Sequence, residues 1–181
     1  SSSFKNDDIG AFTFNYIVDD RQTRGVALPS GQAVSSSVTR TVYIDDLTPP
    51  RIHLRGETEL DVEATATYTD EGAVAYDNYD DGVSLTALIK TSSNVDLSKV
   101  GAYSVLYEVS DSRGNVAEVV KRTVNVVDTT RPVIELFGQK VDFVDLNSTY
   151  KDVGAFATDT LDGDITDNIV VTDPIPQAIA N

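Results

Sequence analysis

The sequence predicts an all-β protein made of repeated sandwich modules, about seven strands to each. The clearest strand lies in Lys99 to Asn115, KVGAYSVLYEVSDSRGN. There Tyr103, Val105, Tyr107 and Val109 fall on one face at period two, and Ser104, Leu106 and Glu108 on the other. That alternation is the mark of a strand with one face in a core. A second copy, IGAFTFNYIVDD, runs from Ile9 to Asp20 and puts Phe12, Phe14, Tyr16 and Val18 in the inward positions. Two copies of one strand make the chain an array. Gly, Pro, Asp and Ser, spread along the whole chain, supply the turns that many short strands require.

Residues 1–48 read as the second half of one module. A strand over 9–18 leads into a long loop, 19–37, and a strand at 38–44 follows. Tyr16 aligns with Tyr107 at an offset of 91, and Arg40 aligns with Arg122 at an offset of 82. The first copy therefore holds nine extra residues in its hairpin loop. Residues 49–128 read as a complete module. Strands are expected at 51–54, 60–63, 73–76, 83–91, 102–110 and 116–127, with a bulge near Lys121 and Arg122. Residues 129–181 begin a further module at an offset of 82, pairing Ile52 with Ile134, Gly72 with Gly154 and Asp77 with Asp159. The pattern is lost over 173–181.

Composition narrows the function. The chain has 181 residues, no Met and a start at SSSFKN, so it reads as an internal piece of something longer. With no Cys, disulfides, thiolate-bound zinc and a Cys nucleophile are all excluded. No apolar run reaches the ~20 residues of a membrane span. A net charge of −15 repels nucleic acid and anionic membranes. Much of the acidic excess is Asp placed in turns.

The repeat resembles the immunoglobulin-like modules found in tandem on bacterial secreted and cell-surface proteins, of the type also present in an insecticidal crystal protein and akin to hyalin repeats. The residues that carry the resemblance are DTTRPVIEL from Asp128, YKDVGAFATD from Tyr150, DGDIT from Asp162 and KVGAYSVLYEVSD from Lys99, with Gly114-Asn115. It implies a Greek-key β-sandwich of about seven strands. It also implies an extracellular or cell-surface location and a spacer or adhesive role. Tyr103 would occupy the tyrosine-corner position, where the first copy has Phe12. The alternative for both is plain core packing.

The resemblance places two loops of the complete module and the preceding linker at one end of the sandwich. Asp45, Asp46, Asp77, Asp80, Asp81 and Asp111 then converge, as do Asp128, Asp159, Asp162 and Asp164 at the next junction, with Asp70 and Glu71 approaching from the module below. Calcium takes six to eight oxygens and accepts carboxylates from scattered loops. The competing reading is turn chemistry, since Asp caps turns and accepts backbone N–H bonds.

Little else suggests catalysis. His53 sits alone at a strand position where the next module has Glu135. The carboxylate pairs lie in repeated loops, and neither a phosphate loop nor a Lys–Asn–acid core cluster is legible. Tyr76 and Tyr79, flanking the acidic loop, are the local candidates for a sugar platform, against core and loop packing. The expected protein is a non-enzymatic spacer or adhesin module whose partners are neighbouring modules, other surface proteins or polysaccharide. An accessory module of a secreted enzyme and a subunit of a surface layer or filament are the alternatives.

Overall fold

A computed structural model of the chain describes residues 9–20 and 34–172. It is nearly all β, as the alternation predicts. Strands β1 (Gly10–Asp20) and β2 (Val34–Ile44) form an antiparallel ribbon running from Gly10 opposite Ile44 to Asp20 opposite Val34. Both strands reach into the expected 19–37 loop; its centre, 21–33, and the 173–181 tail lie outside the described residues. Phe12 and Phe14 are half-buried. Tyr16 and Val18, expected to face inward, are 51% and 66% exposed, because no second sheet covers that face among the described residues.

The middle of the chain forms two sheets. β3 (Arg51–Leu54) pairs antiparallel with β5 (Ala73–Tyr76). The other sheet has the order β4 (Glu59–Glu63), β8 (Val120–Val127), β7 (Gly101–Glu108), β6 (Lys90–Ser93). β4 lies at its edge and runs parallel to β8. Ile52, Ala73 and Ala75 from the first sheet pack with Val105, Tyr107 and Val124 from the second. Each large apolar side chain buried there contributes roughly 1.5–3 kcal/mol. The Tyr103 hydroxyl donates to the Lys99 carbonyl at 3.0 Å, a local tie of the tyrosine-corner kind.

The 83–91 strand is a correction. The helix α1 (Gly82–Ala87) comes first, and β6 starts only at Lys90. The cause is local. The Asp81 side chain accepts from the Ser84 N–H at 2.9 Å and the Ser84 hydroxyl at 3.0 Å, an N-cap bond that starts a helical turn. Leu85 then turns into the core at 1% exposure while Val83 stays outside. The Thr86 hydroxyl accepts the Ala75 N–H at 2.9 Å, so α1 serves β5 in place of a neighbouring strand.

The bulge also lies elsewhere. The β7–β8 ladder is regular from Gly101 opposite Val126 to Tyr107 opposite Val120, and the register slips by one residue before Ser110 opposite Val116. The slip thus falls within 117–119, and Arg122 keeps the inward phase of Val124 and Val126. Its side chain is 2% exposed. The guanidinium meets the Asp70 carboxylate, donates to the Glu57 carbonyl at 2.9 Å and to the Arg55 and Gly72 carbonyls, and lies 6.0 Å from the Tyr107 ring centre. Asp70 also accepts from the Tyr68 hydroxyl at 2.8 Å, the Tyr107 hydroxyl, and the Gly72 N–H at 2.8 Å. Gly72 has φ 78°, which a side chain would strain. Burial pushes the Asp70 carboxyl up, but the Tyr107, Tyr68 and Gly72 hydrogen bonds and the Arg122 charge outweigh it and hold it below its ordinary value.

The last segment repeats the first sheet of the middle one. β9 (Val133–Leu136) pairs with β10 (Ala155–Asp159) so that Glu135 opposes Phe156, as His53 opposes Val74. β11 (Gly163–Asp164) adds to β10, and a short 3-10 turn covers Thr166–Asn168. Thr166 takes the Ala157 N–H at 3.1 Å, as Thr86 takes that of Ala75. The Gly154 carbonyl accepts from Phe137 as that of Gly72 does from Arg55, both at 2.9 Å. The ribbon likewise repeats β7–β8, with Phe12 opposite Val42 as Tyr103 is opposite Val124.

Leu85→Ala should destabilise the chain by about 2–5 kcal/mol in denaturant unfolding, whereas Val83→Ala should stay within about 0.5 kcal/mol. Equal losses would restore the strand assignment. A carboxyl whose folded pKa is depressed stabilises above its unfolded pKa and loses that contribution as pH falls through the folded one. Unfolding measured against pH should therefore show stability falling below about pH 4. Asp70→Ala should cost about 3–5 kcal/mol at pH 7, by stranding Arg122, and should flatten the acid slope.

Candidate cation site

Four of the aspartates meet at the end of the two-sheet segment where β3 begins. Asp46 comes from the linker after β2, Asp77 and Asp80 from the loop after β5, and Asp111 from the loop after β7. Each offers a carboxylate oxygen, and the four oxygens lie within 4.8 Å of one another. Asp46 is 6% exposed and Asp111 7%.

Turn chemistry positions each carboxylate. Asp77 Oδ2 accepts from the Tyr79 N–H at 2.9 Å and the Asp80 N–H at 3.0 Å, the Asx turn expected of an Asp-rich loop. Asp80 Oδ2 reaches the next loop and accepts from the Ser112 N–H at 3.0 Å and the Ser112 hydroxyl at 3.1 Å. Asp111 Oδ1 accepts from the N–H groups of Arg113 at 2.9 Å and Asn115 at 2.7 Å, and Oδ2 from the Asn115 side-chain amide at 2.7 Å. The same amide donates to the Asp46 carbonyl at 3.1 Å, which ties the linker to the module. Asp46 Oδ1 accepts from Thr48 N–H at 3.0 Å and Asn78 Nδ2 at 3.1 Å.

Two oxygens remain. Asp46 Oδ2 and Asp77 Oδ1 are buried and have no hydrogen-bond partner. A buried bare carboxylate oxygen is costly. Two unit charges ~4.8 Å apart repel by about 3 kcal/mol at an effective dielectric constant of ~20. Arg113, the cation in the Asp111 loop, turns away to Asp45 at 3.4 Å and lies 5.6 Å from the Tyr79 ring centre. Burial raises the Asp111 carboxyl, but hydrogen bonds from the Asn115 side chain and the N–H groups of Asn115, Arg113 and Gly114 outweigh it and hold it low and ionised. The arrangement can hold a hard cation by oxygen atoms.

A second group repeats the first in part. Asp128, Asp159 and Asp162 bring oxygens within 4.8 Å of one another. Asp159 Oδ1 accepts from Leu161 N–H at 2.8 Å and Asp162 N–H at 3.2 Å, the bonds of Asp77 shifted by one repeat. Asp128 accepts from Thr130 N–H at 3.2 Å as Asp46 does from Thr48.

The remaining aspartates have other work. Asp45 is engaged by the Asp46 N–H at 3.0 Å and by Arg113. Asp81 caps α1, and the Ser84 N–H holds its carboxyl low. Asp164 is held low first by the Thr166 hydroxyl, then by its N–H. Asp70 belongs to the Arg122 cluster, and Glu71 lies beside Gly56. The group that reaches the segment after β8 is Glu63, which accepts from Thr129 N–H at 2.7 Å and Thr130 N–H at 3.1 Å. Sequence reasoning missed Glu63, Asn78, Ser112 and Asn115 as parts of the site; of these, Asn115 had a signal, standing with Gly114 in the Asp-x-x-Gly-Asn turn after β7.

The other candidates stand apart. His53 is exposed, its ring edge-on to Tyr76 with centres 5.5 Å apart. Tyr76 and Tyr79 are 56% and 49% exposed, so neither is core; His53 packs on one and Arg113 on the other.

Comparison with known proteins bears on the two-sheet segment. Residues 52–126 match the family model described as "Bacterial surface protein, Ig-like domain". The all-β class and the resemblance drawn from the motifs agree with that match over residues 52–126, where the chain is similar to an immunoglobulin-like domain of the bacterial-surface type, a class of structural domains typically without catalysis. The chain is 31% identical over 128 residues to hyalin of Lytechinus variegatus, covering 67% of this chain and 23% of hyalin. It is 36% identical over 102 residues to a pesticidal crystal protein of Bacillus thuringiensis, covering 55% of this chain and 14% of that protein. A solved lipoprotein of Bacteroides thetaiotaomicron overlaps 45% of the chain and 39% of its own, at 23% identity and a TM-score of 0.39. The chain spans 11% to 23% of the length of the curated relatives it matches. No helix among the described residues is long and apolar enough to cross a membrane.

Asn115→Ala removes the amide that joins Asp111 to the Asp46 carbonyl. It should cost about 1–3 kcal/mol in denaturant unfolding and raise the Asp111 pKa followed by NMR titration.

Proposed function

We propose that the chain is a run of non-enzymatic spacer modules from an exported bacterial surface protein, displayed outside the cell, with calcium stiffening its joints and adhesion as its use. The modules in this reading are 1–48, 49–128 and 129–181. The observation that supports it most is the recurrence of one ladder register: β3–β5 returns as β9–β10, and β7–β8 as β1–β2. Each segment's neighbours in the array are then its main partners. The acidic surface and the carboxylate groups beside the linkers suit a cation that sets the angle between modules.

An accessory polysaccharide-binding role has less support, since Tyr76 and Tyr79 are engaged by different neighbours. A surface-layer subunit would share the same modules and differ in how copies associate.

The test is small-angle scattering of the chain with thermal unfolding, in EDTA and in millimolar calcium, magnesium serving as control. The expected result is an extended particle whose length distribution narrows in calcium, with a calcium-specific rise of several degrees in Tm. A compact particle in every buffer would overturn the spacer reading. An unchanged Tm would remove calcium from it.

A further inference from the structure

We propose that the two carboxylate groups are cation sites of unequal strength: Asp46, Asp77, Asp80 and Asp111 form a closed calcium-class site that fills first, and Asp128, Asp159 and Asp162 an open one that fills later. The inference rests on the calcium reading above and adds where the ion binds and in what order.

Acidic clusters are common without any ion, so the case depends on the two bare oxygens. Asp46 is 94% buried, by its 6% exposure, and spends Oδ1 on Thr48 and Asn78 while Oδ2 has no partner. Asp77 divides its oxygens in the same way, with Oδ2 satisfied and Oδ1 buried and bare. A site shaped by turn chemistry alone would leave its spare oxygens in water. These two are removed from water beside two further carboxylates. Opposite ligands of calcium stand roughly 5 Å apart at bond lengths of ~2.3–2.6 Å, so oxygens within 4.8 Å of one another fit one shell. Magnesium demands near-ideal octahedral geometry at ~2.0–2.1 Å and gives up water reluctantly, which a four-carboxylate cage does not suit.

The second group lacks these features. It has three carboxylates, none of them buried. Among the described residues, no buried side-chain oxygen without a partner belongs to it. Fewer charges and a looser frame weaken a calcium site.

The experiment is titration of the whole chain with terbium, a luminescent calcium surrogate. The chain has no Trp, and Tyr79, between Asp77 and Asp80, is placed to sensitise an ion in the first site. Its equivalent in the second is Leu161, which cannot. Luminescence should saturate near one equivalent, fall with added calcium but not with equal magnesium, and vanish in Tyr79→Leu. Asp46→Asn and Asp80→Asn should each weaken binding at least tenfold, while Asp159→Asn leaves the first step unchanged. In EDTA, Asp46→Asn should melt at or above the unsubstituted chain, because a repulsive charge is gone; a lower Tm in both EDTA and calcium would show a merely structural aspartate and overturn the assignment. Two equal sites, or a larger loss in Asp159→Asn, would overturn the ordering and leave the calcium reading standing. No terbium or calcium uptake, by luminescence or calorimetry, would overturn both.

Discussion

Most of the middle module depends on where Arg122 puts its charge. A guanidinium at 2% exposure is tolerable only when nearly every N–H has an acceptor, and the acceptors come from elements far apart in sequence. The Arg55 and Glu57 carbonyls belong to the turn between β3 and β4, whereas Asp70 and the Gly72 carbonyl precede β5. One side chain on β8 thus fixes two crossings between the sheets. Tyr107 closes the same group from β7 and gives its hydroxyl to Asp70. Burial and the hydrogen bond to Asp70 push its phenol well above the ordinary value, so it is a donor at neutral pH.

The parts of the fold legible in sequence were those with a repeated pattern. β3, β5 and the inward face of β7 follow from period-two alternation and from matching residues one repeat away. The parts that failed were decided by tertiary partners. Arg122 looked like a break in the inward phase, because a charged residue in an apolar stripe suggests a bulge; its hydrogen-bond partners are 50 or more residues away. Segment 83–91 has strand-like composition, yet the Asp81 cap and the bare edge of β5 favour a helical turn there. Tyr16 and Val18 share the pattern of Tyr107 and Val109, but among the described residues no sheet covers them.

The carboxylate group shows the same division. That Asp46, Asp77, Asp80 and Asp111 approach one another was legible through the resemblance, whose implied strand order puts those loops at one end. Which oxygen each aspartate spends on the backbone was not, because this depends on Asn78, Ser112 and Asn115 supplied from neighbouring turns. Asp81 and Asp164 show why composition alone overcounts: each is engaged by a hydroxyl residue two or three places on.

The parallel pairing of β4 with β8 has a mechanical consequence. β4 lies near the start of the middle module and β8 near its end, and their five paired positions are extended by the Thr123–Thr58 and Ala64–Val127 hydrogen bonds. Tension applied through the two linkers pulls these strands past each other lengthwise. The rungs then share the load and must yield together, whereas an antiparallel hairpin pulled from its open end would unzip one rung at a time. Forced unfolding is governed by a barrier rather than by equilibrium stability. The stitch that would resist such a pull therefore lies along the outer edge of the larger sheet, apart from the Asp46–Asp111 carboxylates.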